Sequence, residues 1–305
     1  MHNRAFLALA VILCVGRVSS ARAEQDATYA MNRSDTVRIE RPLPQDTQTG
    51  SSSTVAQSTT TTNEYGFKNV SDFYNIREAN PQIGQGMWQV EFGSGWVTKS
   101  NGRDDDFNLP GAGVLYGVTD DMNVTFKLLP LNIGDGDWQG NGDLGLQLFN
   151  RFLRETEMLP ALAGYAEMRI PSGNGSSGVD ATFGGAITKT LFPNFRAHLD
   201  GFIKTVNGRR GYQTPEDYRH FQWGVGPGFD YMIDEKTTAI LNYRMTSSEE
   251  YGRHNSNVLQ LGMAREIMDS GSMVHNLRLA TDIGLDGQDE TPNFGMKLQY
   301  AIAIK

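Results

Sequence analysis

The sequence predicts an all-β fold, a transmembrane antiparallel up-and-down β-barrel of about twelve strands. Three observations predict it. The chain begins with a secretory leader, its later segments alternate with one charge-free apolar face, and its connections alternate between long and short.

The leader comes first. Residues 1–4 are short and basic, residues 5–16 are apolar, and a polar stretch ends Ala21-Arg22-Ala23, the small-x-small pattern that signal peptidase cuts after. An apolar run of about twelve residues is too short to cross a bilayer as a helix, which takes ~20. Leu13, directly before Cys14, is too large for a lipobox. Cys14 is the only cysteine, so a chain cut after Ala23 has no thiol chemistry and no disulfide. Residues 1–23 are therefore expected to be a signal peptide, and the cell outer membrane of a Gram-negative type of cell the destination after cleavage. Loss of Arg4, Arg17 and Arg22 takes the 27 basic residues to 24 against 35 acids, a net charge of about −11. Such a chain neutralises no phosphates, so nucleic acid is not an expected partner.

Residues 24–63 lack apolar periodicity and run into a Ser/Thr/Gln tract over 47–62. A segment of that kind cannot bury enough apolar surface to offset its ordering entropy. Residues 24–85 are expected to be a disordered linker. Phe67, Val70, Phe73, Tyr74 and Ile76 stand at roughly helical spacing, which allows a short helix over 66–77 or an extended lead-in ending at Pro81.

The barrel is expected over 86–305. Its first strand puts Trp88, Val90, Phe92 and Trp96 on one face and Gln89, Glu91, Gly93 and Gly95 on the other. The same alternation predicts strands near 87–97, 109–118, 122–132, 142–152, 160–170, 181–189, 195–205, 220–231, 237–246, 257–265, 275–284 and 293–304. Each has the length that a tilted strand needs to cross the hydrocarbon layer. The apolar face of these strands is expected to carry no Asp, Glu, Lys or Arg, because a lipid-facing charge near mid-membrane costs ~2–4 kcal/mol. Overall hydropathy is mildly polar, as a barrel allows, because only every second strand residue faces lipid.

The opposite face carries Glu91, Lys127, Arg151, Glu167, Arg169, Arg196, His198, Asp200, Lys204, Asp230, Arg244 and Lys297. In a dry sandwich core so many charges would be prohibitive without partners, so they are expected to line a lumen. There they either bias solute selectivity or neutralise one another across neighbouring strands. Connections alternate in length, with 266–274 as an exception among the short ones. Both ends are expected on the periplasmic side, and the amphipathic last strand suits insertion by the barrel assembly machinery into outer-membrane lipids.

Several segments resemble the outer-membrane family of the MetA-pathway of phenol degradation. Gly142-Asp-Leu-Gly-Leu-Gln-Leu-Phe-Asn-Arg-Phe-Leu153 is similar to its "GDL" strand, and Leu159-Pro-Ala-Leu-Ala with Arg169-Ile-Pro-Ser-Gly173 to its "PALA…LPTG" strand and loop. Asp180-Ala-Thr-Phe-Gly-Gly-Ala-Ile-Thr-Lys189 resembles the next strand. Residues 86–93 resemble the family's first strand and 116–120 its first turn. The resemblance covers roughly residues 82–305 and implies a barrel that moves small hydrophobic or aromatic solutes passively.

Two other readings compete. His254-Asn255-Ser256-Asn257 matches the H-x-S-N pattern of outer-membrane lipid esterases, in which a His activates a Ser. Parity argues against it, because Leu259, Leu261 and Met263 are expected to face outward, so His254 and Ser256 should point inward or sit in the loop. The glycine expected after the motif is replaced by Val258, and the nearest downstream acid, Glu266, is a strand length away. The other reading is a plugged structural barrel. Loop acids at 104–106, Asp135 with Asp137, and Asp286 with Asp289 suggest calcium less than solvated loops, and Arg209 and Arg210 could meet anionic lipopolysaccharide. No metal or cofactor is expected.

Overall fold

The computed structural model describes residues 67–68, 70–71, 73–98, 106–129, 132–133, 142–173, 178–205, 219–248, 251–286 and 291–305. All belong to one compact unit, Gln57–Lys305. The expected signal peptide, 1–23, and most of the expected linker, 24–66, lie outside the described residues.

The alternating segments form the strands β1 (Trp88–Thr98), β2 (Asp106–Thr119), β3 (Met122–Leu128), β4 (Asn132–Ile133), β5 (Leu144–Leu153), β6 (Ala161–Ile170) and β7 (Asp180–Phe192). They continue as β8 (Phe195–Thr205), β9 (Phe221–Asp234), β10 (Thr237–Thr246), β11 (Ser256–Asp269), β12 (Met273–Gly284) and β13 (Phe294–Ile304). Every pairing is antiparallel, and β1 pairs with both β2 and β13, which closes the barrel. Pairing the first strand with the last removes the two long edges that an open sheet would expose. β3 and β4 pair with β2 in one continuous register, Leu128 opposite Ala112 and Asn132 opposite Asn108. They are two pieces of a single strand, where the sequence suggests an unbroken 122–132. Pro130, with no N–H to donate, lies in the interval. The barrel therefore has twelve strands.

Parity holds around the whole circumference. On β9, Phe221, Trp223, Val225, Phe229 and Tyr231 are exposed while Gly224, Gly226, Gly228 and Asp230 are buried. The expected absence of charge from the outer face needs one correction. Lys189 on β7 and Arg265 on β11 share the outward parity, and both stand near the short-turn end of the barrel. Lys189 bends to the rim, where its ammonium donates to the carbonyls of Thr156 (2.6 Å) and Glu157 (2.9 Å). A long stem lets a charge on the apolar face reach the interface in this way. The apparent exception among the short connections disappears. β11 and β12 run further than expected, past a bulge at Glu266/Met268, and only residues 270–272 join them.

The lumen holds the core. No described residue is helical, and the helix considered for 66–77 is replaced by a turn and bends at residues 73–76. The backbone N–H of Val70 donates to Glu78 Oε1 (2.8 Å), and the N–H of Glu78 returns to the Val70 carbonyl (3.4 Å). That closure folds 70–78 into a compact loop instead of a helix. Rather than continuing a disordered linker, the described residues of 67–86 run inside the barrel, with Phe67, Val70, Tyr74, Ile76, Ala79 and Ile83 buried. They rise from the short-turn end, where the N–H of Lys68 donates to Thr238, to an apex near Asn75 and Ile76. They then descend to the turn at Asp120, which accepts from the N–H of Gln85 (3.2 Å).

Three apolar clusters join this segment to the inner wall. Val70, Tyr74 and Ile76 pack with Ile240, Ala264 and Ala280. Ala79 packs with Phe149, Ala161, Ala163 and Ala186, and Ile83 and Met87 pack with Leu115, Val274 and Ala303. Glycines of the wall make room for the apex. A Cβ on Gly228 would lie 2.5 Å from Ile76 Cδ1, and one on Gly262 would lie 2.5 Å from the Tyr74 ring.

The outer face generates a prediction. Leu241 lies mid-strand on β10, opposite Phe229 and Leu261. Leu241→Arg should destabilise the barrel in lipid vesicles by about 2–4 kcal/mol in denaturant titrations. An unchanged midpoint would show that this face does not meet hydrocarbon.

Candidate functional site

The functional candidates follow from strand parity, because each inward side chain of the lower barrel meets the inserted segment or a neighbouring strand. At the centre lies Arg196 on β8, fully buried. Its Nε donates to both carboxylate oxygens of Asp230 on β9 (3.0 and 3.1 Å), with Nη2 closing the fork. Its Nη1 reaches Glu78 Oε2 of the inserted segment at 2.6 Å. The ring of Phe67 lies under the same guanidinium at 4.3 Å. His198 Nε2 is 3.3 Å from Asp230, and its Nδ1 is 3.0 Å from the hydroxyl of Thr188, which also accepts the N–H of Ala79.

Further wall side chains hold the segment at its other points. Lys68 pairs with Glu266 at 2.7 Å, with both side chains buried. At the apex, the N–H of Asn75 donates to Gln260 (2.8 Å) and its side-chain amide to Asp282 (3.0 Å). Its two oxygens accept from Arg244 Nε (2.6 Å) and Lys297 Nζ (2.9 Å). Arg77 donates to Gln147 (2.8 Å), and its guanidinium stacks 4.7 Å from the Tyr165 ring. Arg151 links Asn80 (3.0 Å) to the carboxylate of Asp121 in the β2–β3 turn (2.9 Å).

Each of the twelve candidate charges read from the sequence has a definite place on the inner face. Glu91 accepts from Arg278 (2.8 Å), and Lys127 pairs with Glu167 (2.8 Å). Arg169 bridges Asp143 and Asp180, Arg244 pairs with Asp200 through Nη2 alone, and Lys297 pairs with Asp282 (2.9 Å). Lys204, next to the end of β8, forms no ion pair with a described residue. Sequence reasoning missed Arg278, Asp282, Asp143, Asp180 and Glu266. Parity already placed Arg278 and Asp282 inward, between Leu277, Leu279, Thr281 and Ile283. It also missed Lys68, Arg77 and Glu78, whose signal was charge set within an apolar segment.

Above the apex, toward the long loops, a cavity of about 380 Å³ remains. The segment's Tyr74–Arg77 form part of its lining. The walls carry Lys127, Gln147, Tyr165, Glu167, Asp200, Phe202, Arg244 and Thr246.

The esterase pattern is not assembled. His254 is exposed, and no hydrogen bond joins it to Ser256. Asn257, the last residue of the pattern, instead donates to Asp286 (2.7 Å) and accepts from Tyr243 (2.5 Å). Among the described residues no group of three or more His, Cys, Asp or Glu side chains is arranged to hold a metal ion. The loop acids at 104–105, 135, 137 and 289, with Arg209 and Arg210, lie outside the described residues.

Burial alone would raise the Asp121 carboxyl, but hydrogen bonds from Arg154 and Arg151 outweigh it and hold the group below the usual carboxylate range.

No family model matches the sequence, and no curated protein matches it. Among solved structures, an outer membrane channel from Pseudomonas putida F1 is similar with a TM-score of 0.56 at 12% identity, covering 74% of this chain and 98% of that one. The NanC porin has a TM-score of 0.48 at 8% identity, over 71% of this chain and 99% of its own. The KdgM porin has a TM-score of 0.45 at 4% identity, over 71% and 98%. The first of these shows that the chain shares the closed antiparallel barrel fold.

Two predictions follow from this geometry. Arg196→Met leaves Glu78 and Asp230 buried without their cation, and should cost about 3–5 kcal/mol in unfolding measurements. A loss below about 1 kcal/mol would mean that water reaches the pair. The second concerns Asp121, whose lowered folded pKa stabilises the protein above the unfolded value and ceases to do so as pH falls through the folded one. The melting-temperature gap between the native protein and Asp121→Asn should stay constant from pH 7 to pH 5 and close only below about pH 4. A gap that widens in acid contradicts the assignment.

Proposed function

We propose that this chain is a passive outer-membrane channel for small hydrophobic or aromatic solutes, closed in this conformation by residues 67–86. The observation that supports it is the composition of the wall around the inserted segment. A barrel that serves only as a scaffold can fill its lumen with its own inward side chains. Here the wall presents Gly228, Gly262, Ala163, Ala186, Ala264 and Ala280 where the segment lies, and the segment supplies the bulk. Withdrawal of the segment leaves a bore lined by small and polar groups, the lining of a solute path. The wall's side chains supply most of the described polar contacts to the segment, so release leaves the barrel's own strand ladders intact.

The permanently plugged structural barrel is the second reading, favoured by the complete burial of Glu78 against Arg196. Planar-bilayer conductance separates the two. The native chain should show rare, brief openings, and Glu78→Ala, which leaves Arg196 paired with Asp230, should raise open probability at least about tenfold, equivalent to ~1.4 kcal/mol. Absence of current steps in both proteins, with no solute flux in liposomes, overturns the channel in favour of the structural barrel.

A further inference from the structure

The inserted segment is held in two different ways along its length. Its first limb, 67–78, closes on itself. The N–H of Val70 donates to Glu78 Oε1 (2.8 Å), the N–H of Glu78 to the Val70 carbonyl (3.4 Å), and the N–H of Tyr74 to the Ser71 carbonyl (3.2 Å). These bonds travel with the limb wherever it goes. Wall side chains tie it at the apex, Gln260, Asp282, Arg244 and Lys297 on Asn75, and Arg196 meets Glu78 below.

The second limb, 79–86, hangs its main chain on the wall. The N–H groups of Ala79, Gln82 and Gln85 donate to Thr188 (2.8 Å), Asn123 (2.9 Å) and Asp120 (3.2 Å), and Asn123 donates in turn to the Ile83 carbonyl (3.0 Å). Gly86 donates to the Gly117 carbonyl (2.8 Å), and the N–H of Gly117 to the Met87 carbonyl (3.0 Å). A Cβ on Gly117 would lie 1.9 Å from the Gly84 carbonyl oxygen, so the two main chains touch. Buried main-chain groups that lose their partners are costly, and this limb stakes its own on the wall.

The limbs also face different walls. Val70, Tyr74 and Ile76 pack on Ile240, Ala264 and Ala280 of β10–β12, and Gly228 and Gly262 make room there. Ala79 packs on Phe149, Ala161 and Ala186 of β5–β7. The join between the limbs stands low in the bore. Glu78 meets Arg196 and Ala79 meets Thr188, both within a few residues of the short turn that links β7 to β8. A loop hinged at that level can swing out through the short-turn end without unthreading the residues that follow it.

We propose that the segment opens at a hinge between Glu78 and Ala79. The first limb leaves as a preformed loop, and the second stays on β2–β7 as a fixed part of the channel wall. The solute path is then a half-bore along β9–β12, with Gly228 and Gly262 on one side and the second limb on the other. This device rests on the channel reading and divides its closing element into a moving part and a fixed part.

Thiol labelling tests it. Cys14 is the only cysteine, so single thiols can be placed in a Cys14→Ser background. Ser71→Cys marks the first limb and Ile83→Cys the second, and both positions are buried. Each full chain in detergent is treated with a cationic methanethiosulfonate reagent. Ser71→Cys should react at least about tenfold faster than Ile83→Cys, because only its limb visits water. Once reacted, it carries a bulky cation that cannot return to its buried place, and the protein should conduct persistently in planar bilayers. Equal rates, a faster Ile83→Cys, or no reaction at either thiol overturns the hinge. If Ser71→Cys does not fold, Val70→Cys takes its place with the same expected order of rates. Conductance with equal rates keeps the channel and removes the hinge, and faster reaction of the first limb without conductance does the reverse.

Discussion

The guanidinium of Arg196 is sealed from water, and the interior of the barrel is arranged around that fact. A buried charge is tolerable only when each of its donors is matched. Asp230 on the adjacent strand takes one side of the fork, and Glu78 from the inserted segment takes another. Thus a residue of the wall is satisfied completely only when a residue from a different part of the chain is in position. The constraint also runs the other way. Glu78 folds its own loop by accepting the N–H of Val70, so the carboxylate that meets Arg196 also shapes the segment that delivers it. The position of Tyr74 and Ile76 against Gly262 and Gly228 follows from that loop.

The fold was legible in the sequence because strand parity is a local property with a large penalty for error. A one-residue slip would send Arg196, His198 and Asp200 into the apolar surround and Leu199 into the lumen. Alternation in 195–205 or 294–304 therefore reports the outer face directly. Parity weakens where that penalty falls, at the rims. Lys189 and Arg265 occupy outward positions there, because a long side chain can reach the polar boundary. The bulge at Glu266/Met268 has the same character. It shifts register near a strand end, and only the turn at residues 270–272 reveals where the strands stop.

The inserted segment was much less legible, and the reason is physical. Residues 67–86 make most of their polar contacts with side chains 40 to 220 positions away in sequence, such as Asn123, Gln260 and Lys297. A segment without its own ladder or helix has no period to detect. What the sequence did contain was a mismatch, since Phe67, Val70, Phe73, Tyr74 and Ile76 are too apolar for a solvated linker. Helical spacing offered one way to bury them, and a surrounding barrel offered another. The choice was made by glycines and alanines about 100 to 200 residues downstream, whose meaning depends on a bore that exists only after closure.

Charged tethers also bear on how such a segment could leave. Apolar clusters lose their stabilisation wherever water enters, whereas a carboxylate moved from a buried pair into water regains hydration in place of its partner. Glu78 can make that exchange, and Arg196 keeps the Asp230 fork when Glu78 departs. Lys68 and Glu266 can likewise both be hydrated once they separate at the short-turn end. Tethering by ion pairs therefore leaves no orphaned charge in the withdrawn state, provided that water follows the segment out. A barrel meant to stay shut needs no such provision, since apolar wall side chains of the right volume would seal it at least as well. On the proposed channel reading, a small-residue bore paired with a charge-tethered insert is a closure specific in the closed state and tolerable in the open one.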